Sequence, residues 1–397
     1  MTAALARDPA ALAAALLNLE DLASHDAADV RVVRAPGRVN LIGEHTDYND
    51  GLVLPAAIDR WVAIAFIPSD DGIVRLTRAD TQETVDVALA KPGQRDGTWR
   101  DYVAGTVWAL ADAGAPISGF RGLLAADLPI GAGLSSSAAL ELAAALALGA
   151  GRRPLEDRMA LARAAQRAEN AFVGVPCGLM DQFAVTFGEP DAALLLDCRS
   201  FRHEAVPLPS GLEILVCDSG VERRLADSPY EARRDECRRA IATLRGLGEP
   251  VESLRDVDPV LLERARPSMD PVAFRRARHV VTENARVLAA VGAMRGGNLA
   301  GLGPIFAASH ASLRDDYEVS TPELDELVSI AAAAPGVLAA RMTGAGFGGA
   351  VVALADERSA DEAIETIGGG YRTPAGARPY VMRVRAAAGA ALVWPTA

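Results

Sequence analysis

Leu128-Pro-Ile-Gly-Ala-Gly-Leu-Ser-Ser-Ser-Ala-Ala-Leu-Glu-Leu-Ala143 joins a glycine-rich turn to a strong helix former. Gly131 and Gly133 carry no Cβ, so the backbone there can take left-handed φ values and bring its N–H groups close to an anion. Ser135, Ser136 and Ser137 suit the cap of a helix, and the Ala- and Leu-rich run 138–148 propagates it up to Gly149 and Gly151. A turn feeding a helix N-terminus is an anion site, although a tight turn into a buried helix would use the same residues. A Walker loop is excluded, because it needs Gly-Lys-Ser/Thr and the one lysine of the chain is Lys91, in Lys-Pro-Gly. The protein-kinase lysine motif and catalytic loop are missing as well. Any nucleotide must therefore be met by backbone amides, hydroxyls, a metal ion and arginines.

Half of the 397 residues are apolar, enough for two domains with ample cores. A net charge of −12 argues against a nucleic-acid or anionic-membrane surface, so a bound phosphate has to be held by local groups. Cys177, Cys198, Cys217 and Cys237 form no Cys-x-x-Cys pair and read as scattered reduced thiols, which suits the cytoplasm. The histidines show no metal-ligand spacing. Residues 1–23 are rich in Ala and Leu but broken by charges and Pro9, which predicts a short amphipathic helix. No apolar run reaches the length of a membrane span.

Residues 29–35 read as a strand ending at Pro36-Gly37. Arg38, Asn40, Glu44, His45, Asp47, Asn49 and Asp50 follow, interleaved with Leu41, Ile42, Gly43 and Gly51. Mixed donors and acceptors set among apolar residues suit a small hydroxylated ligand such as a sugar. Strand signals at 61–67, 72–78 and 84–89 predict a largely antiparallel sheet. In the helix expected at 97–110, Trp99 and Tyr102 suit either stacking on a base or core packing. A strand at 120–127 leads into the glycine-rich turn, the strand-to-helix context that favours phosphate. A charged helix at 155–172 carries Glu169. Asp181 follows a Pro/Gly turn among apolar residues, where a carboxylate needs a partner, an arginine being the natural one; a helix cap is the plainer alternative. Composition shifts near 197–209. Beyond it come a strand at 212–217, helices at 229–244 (with Tyr230), 271–293, 302–313 and 322–334, and strands at 337–342 and 350–354 around Thr343-Gly-Ala-Gly-Phe-Gly-Gly349. That second glycine turn needs no ligand to explain it, yet its amides could close over a polyphosphate. A helix at 359–367 and a strand at 380–385 complete an α+β pattern.

With these residues assembled, the chain resembles the galactokinases, within the superfamily of galactokinase, homoserine kinase, mevalonate kinase and phosphomevalonate kinase. Three motifs carry the likeness: Gly37-Arg-Val-Asn-Leu-Ile-Gly-Glu-His-Thr-Asp-Tyr-Asn-Asp-Gly-Leu-Val-Leu-Pro55, the serine turn ending at Ala139, and Met342-Thr-Gly-Ala-Gly-Phe-Gly-Gly349. The first belongs to the galactokinase branch and the others are shared more widely. Ala350 departs from the Cys or Ser of many relatives. The resemblance implies a two-lobed α+β fold, with an N-terminal domain like domain 2 of ribosomal protein S5 (1–200) and a ferredoxin-like C-terminal domain (201–397), and with ATP and sugar in the cleft between them. It places Glu44, His45, Asp47, Gly178 and Tyr230 on the sugar, and Arg38 and Asp181 at the reacting groups. Gly131, Gly133, Leu134, Ser135, Ser136, Ser137 and Trp99 fall on the nucleotide, and Ser137 and Glu169 on Mg²⁺. The implied reaction moves the γ-phosphoryl of ATP to the C1 hydroxyl of galactose, the Leloir step that gives galactose 1-phosphate and ADP. We expect Arg38 to supply the larger electrostatic contribution, and Asp181 to orient the hydroxyl and take its proton late. A sister kinase for N-acetylgalactosamine or L-arabinose, and a galactose-binding regulator without catalysis, are the alternative readings.

Overall fold

A computed structural model describes residues 2–19, 22, 26–129, 133–150, 157–221 and 230–395. The first lobe contains α1 (Thr2–Arg7), α2 (Pro9–Leu17), β1 (Arg31–Asn40), β2 (Leu52–Val53), β3 (Pro55–Ser69), β4 (Ile73–Arg78), β5 (Thr84–Ala88), α3 (Arg100–Asp112), β6 (Gly119–Ala126), α4 (Ser136–Ala150), α5 (Arg158–Arg167), α6 (Met180–Phe187), β7 (Ala192–Asp197) and β8 (His203–Pro207). The second contains β9 (Leu212–Asp218), α7 (Tyr230–Gly246), α8 (Pro259–Ala265), α9 (Pro271–Arg295), α10 (Leu302–Ser312), α11 (Pro322–Ala333), β10 (Val337–Thr343), β11 (Ala350–Asp356), α12 (Ala360–Gly370) and β12 (Val381–Val384). A final strand, β13 (Ala391–Trp394), returns to the first lobe.

The large sheet runs β13-β1-β3-β6-β4-β5, antiparallel except where β4 meets β6. Its alternating Val, Ile, Ala and Phe side chains face two ways. One face packs on α3, α4 and α5 around Val39, Ile64, Phe66, Phe120, Leu142 and Leu148. The other puts Val32, Ala63, Ala65 and Leu123 under Leu12 and Leu16 of α2. A small sheet, β2-β7-β8, lies alongside. In the second lobe the chain order β-α-β-β-α-β gives a four-stranded antiparallel sheet, β10-β11-β9-β12, with helices on one face, which is the ferredoxin-like arrangement. The fold is therefore α+β in two lobes.

Several elements differ from the sequence expectation. The N-terminal helix is two helices, because Pro9 has no N–H to continue α1 and Asp8 instead caps α2 by accepting from the Ala11 amide. Strand β1 does not stop at Pro36-Gly37. It absorbs them in a register shift and continues to Asn40, carrying Arg38 and Asn40 inward. A Cβ at Gly37 would stand 2.9 Å from the Leu134 carbonyl, so glycine lets the strand run directly beneath the serine turn. Helix α3 begins at Arg100 rather than 97, and the helix expected at 155–172 is α5 followed by a π-helical turn at 168–173. Residues 151–156, with Gly151, and residues 222–229, with Pro229, lie outside the described residues. The strand at 380–385 is not the last; β13 was missed because Ala-Leu-Val-Trp is too short to signal a strand alone. The β7–β8 hairpin spans position 200, and β13 pairs with β1 of the first sheet. Among the described residues no helix is long and apolar enough to cross a membrane.

Candidate active site

The amide of Arg38 donates to Leu134 O at 3.1 Å, tying β1 to the serine turn. From there the buried Arg38 side chain reaches the first turn of α6. Nε bonds Asp181 Oδ1 at 2.9 Å, Nη2 bonds Oδ2 at 2.7 Å, and Nη1 donates to Gly133 O at 2.5 Å. Two parallel N–H···O bonds are the strong, oriented form of the arginine–carboxylate pair. Asp181 is thus partnered as expected, and it also accepts from Ser135 Oγ at 2.5 Å. Ser135 adopts φ 59°, a left-handed conformation a non-glycine residue holds only when its surroundings demand it. Its carbonyl accepts from the Ala139 amide as the first bond of α4. The hydroxyls of Ser135 and Ser137 go to carboxylates rather than to the helix cap the sequence suggested. Ser135 serves Asp181, and Ser137 Oγ donates to Glu169 Oε1 at 3.0 Å.

Glu169 sits on the π-helical turn, whose extra residue rotates the buried carboxylate toward α4. Gln182 Nε2 bonds its Oε2 at 2.6 Å and Cys177 Sγ lies 3.6 Å away. Burial, reinforced by the Asp181 charge, pushes the Glu169 carboxyl up to about 7. Behind it Glu141, fully buried on α4, is pushed well above the usual carboxylate range by burial and by Glu169.

The loop after β1 is folded by its own polar groups. Thr46 Oγ1 bonds both Gly43 O and Leu52 O, and His45 is held at φ 63°. The His45 ring meets Tyr48 OH through Nδ1 at 2.7 Å and donates from Nε2 to Ala345 O at 3.1 Å. Glu44 faces the second lobe. It pairs with buried Arg341 and accepts from the Gly344 amide at 3.1 Å and Thr343 Oγ1 at 3.3 Å. The second glycine turn is therefore strapped to this loop by Glu44 and His45. Burial raises the Glu44 carboxyl. Asp47 lies against Gly178, where a Cβ would stand 1.8 Å from Oδ2, so only glycine leaves room for the carboxylate. Burial, then the nearby Asp181 charge, lifts Asp47 to about 6. Tyr230 opens α7 with its ring 5.7 Å from His45.

The site centres on one cavity of about 510 Å³ between the lobes. Arg38, Glu44, His45, Asp47, Trp99, Gly133, Leu134, Ser135, Ser136, Ser137, Glu169, Gly178, Asp181 and Tyr230 all border it, while Gly131 lies outside the described residues. Trp99 and Tyr102 each pack on the core of the first lobe and also border the cavity. Sequence reasoning missed Gln182, Asp101, Arg95 and Arg341. Gln182 was within reach, one position after Asp181; Arg341 was not, since nothing near it in the chain reveals its partner 297 positions earlier.

The two lobes and the serine turn define a class, the GHMP small-molecule kinases: residues 101–189 match the GHMP kinases N terminal domain and residues 290–372 the GHMP kinases C terminal domain. Residues 23–68 match the galactokinase galactose-binding signature. The galactokinase of Roseiflexus sp. (strain RS-1) is 44% identical over 366 residues, 92% of this chain and 94% of that protein. That of Chloroflexus aggregans (strain MD-66 / DSM 9485) is 43% identical over 368 residues, again 92% and 94%. The crystal structure of Lactococcus lactis galactokinase complexed with galactose superposes with a TM-score of 0.90 at 34% identity, covering 96% of this chain and 99% of that one. The chain belongs to the galactokinase family. A Methanococcus jannaschii mevalonate kinase, at 16% identity and TM-score 0.64 over 90% of this chain and 98% of that one, shares the fold.

Proposed function

We propose that this protein transfers the γ-phosphoryl group of ATP to the C1 hydroxyl of galactose, giving galactose 1-phosphate and ADP. The observation that carries the reading is the Arg38–Asp181 fork, set between the start of α4 and the Glu44–Asp47 loop in one cavity. The start of α4 presents first-turn amides that have no intrahelical acceptor, a seat for phosphate oxygens. The sugar lies against His45, Asp47, Gly178 and Tyr230, with Glu44 fixing the loop that carries them. In the transfer the C1 oxygen bonds to the γ-phosphorus as the bond to the β–γ bridging oxygen breaks. Asp181 orients the hydroxyl and receives its proton, while Arg38 offsets the charge gathering on the transferred group. Trp99 stacks on the base.

Ser137 and Glu169 suit Mg²⁺. A hydroxyl and a buried carboxylate are hard oxygen donors, and a carboxyl held up to about 7 by burial lacks a neighbouring cation. Among the described residues no group of three His, Cys, Asp or Glu side chains could hold a metal, so the remaining positions would fall to phosphate oxygens and water. When bound, the ion would neutralise phosphate charge. The free cysteines accord with a cytoplasmic enzyme of carbohydrate metabolism.

Sugar-dependent ADP release in a coupled assay tests the reading. Turnover with galactose well above that with N-acetylgalactosamine or L-arabinose is expected. A folded protein releasing no ADP with galactose overturns it, and a preference for either other sugar reassigns the substrate.

A further inference from the structure

Among the described residues the cavity is poor in positive charge for an enzyme that must accept a triphosphate. Its lining holds the carboxylates Glu44, Asp47, Asp101, Glu169 and Asp181 against two arginines, Arg38 and Arg95. Arg38 is committed to Asp181 and Gly133, and Glu44 is matched by Arg341 from behind. Among the described residues, Arg95 is the lining arginine not engaged in a close pair. Its Nε stands 4.0 Å from Asp101 Oδ2, at the outer limit of an ion pair, and its side chain is half exposed.

The segment that bears Arg95 is fixed on both sides. Buried Asp101 accepts from the Asp96 and Gly97 amides, with bonds of 3.0 Å to Asp96 and 2.8 Å to Gly97. Arg100 reaches back to Pro92 O and Gln94 O. The Arg95 guanidinium lies across Gly174, the left-handed residue that ends the π-helical turn of Glu169; a Cβ there would stand 2.7 Å from Nη1. Asp101 bonds the two amides that follow Arg95 at hydrogen-bond distance but meets the guanidinium only at 4.0 Å, so it holds the adjoining backbone more than the charge. The result is a half-exposed cationic head on a fixed base, beside Trp99 and Tyr102 and on the same side as Glu169.

We infer that Arg95 binds the phosphate chain of the nucleotide, taking the part that lysine plays in other phosphate sites. The assignment rests on the kinase reading above and adds a residue to it. A half-exposed charge-assisted contact of this kind corresponds to roughly a tenfold change in affinity.

Arg95→Met, Arg95→Lys and wild type are compared in two experiments. In steady-state assays, Arg95→Met is expected to raise the KM for ATP about tenfold while the KM for galactose stays unchanged, with Arg95→Lys recovering most of the loss. In calorimetric titrations the variant should lose affinity for ADP but bind adenosine as wild type does, and its ADP affinity should depend less on salt. Wild-type ADP affinity in folded Arg95→Met overturns the inference, as does an equal loss for ADP and adenosine, which would mean that the base pocket had collapsed. Galactose-dependent turnover by wild type keeps the two readings separable: if it is present and Arg95→Met is silent, only the Arg95 assignment falls.

Discussion

Replacing Arg38 by methionine removes the guanidinium and leaves a side chain of similar reach. Arg38 and Asp181 are 3% and 24% exposed, so the pair sits in a poorly solvated pocket. At about 4 Å and an effective dielectric near 20, a unit charge contributes about 4 kcal/mol. If the transferred phosphoryl oxygens draw on Arg38 to that extent, its loss lowers kcat about 10³-fold, the lower end of what an arginine supplies in phosphoryl transfer. Stability falls too, because Asp181 keeps only the Ser135 hydroxyl; breaking such a pair costs about 3–5 kcal/mol when fully buried, and the partial exposure here places the cost at the low end or below. The two effects are separated by measuring single-turnover phosphoryl transfer at saturating ATP and galactose alongside thermal unfolding. Arg38→Lys restores the charge without the fork and should fall between. A folded Arg38→Met enzyme with kcat within about threefold of wild type would refute the electrostatic role.

Gly178→Ala places a Cβ against Asp47 and should raise the galactose KM by about 10²-fold while leaving the KM for ATP near wild type, in initial-rate kinetics on both substrates. Because Asp47 is lifted to about 6, and in the proposed complex its carboxylate accepts from sugar hydroxyls more strongly than its neutral acid, the galactose KM should climb as pH drops below about 6, and Asp47→Asn should flatten that limb of the profile. Glu141 binds a proton when folded that it releases when unfolded, so its burial destabilises the fold increasingly as pH rises above the unfolded carboxyl value, by about 1.4 kcal/mol per unit until the folded group ionises. Glu141→Gln should therefore raise the melting temperature at pH 8 and leave it nearly unchanged at pH 4; equal shifts at both values would contradict this account.

Much of the site was legible because each motif is local. The serine turn, the Arg38–Asp50 run and the Pro176–Gln182 turn each declare their polar groups among apolar neighbours, and physical chemistry supplies what each could meet. Their convergence depends on long-range pairing. Gly37 runs under Leu134 only because β1 bends through Pro36, and the bend is set by its partner β3. The Glu44–Arg341 pair and the Ala345–His45 bond join segments about three hundred positions apart, for which periodicity carries no signal. The π-helical turn was hidden too, since Ala-Glu-Asn-Ala-Phe-Val reads as ordinary helix and only packing against Ser137 and Gln182 selects the wider winding. Arg95 was passed over because its loop has the composition of any solvated turn.

The return of β13 to the outer edge of β1 has a consequence for biogenesis. On the ribosome, the sheet that carries Arg38 stays open along that border until the whole ferredoxin-like half has been synthesised. Until then its unpaired backbone is an invitation to strand addition by a neighbouring chain. The nascent first lobe thus depends on its own distant tail for closure, and a stop codon before Ala391 would leave every active-site residue named above present on an unsealed sheet.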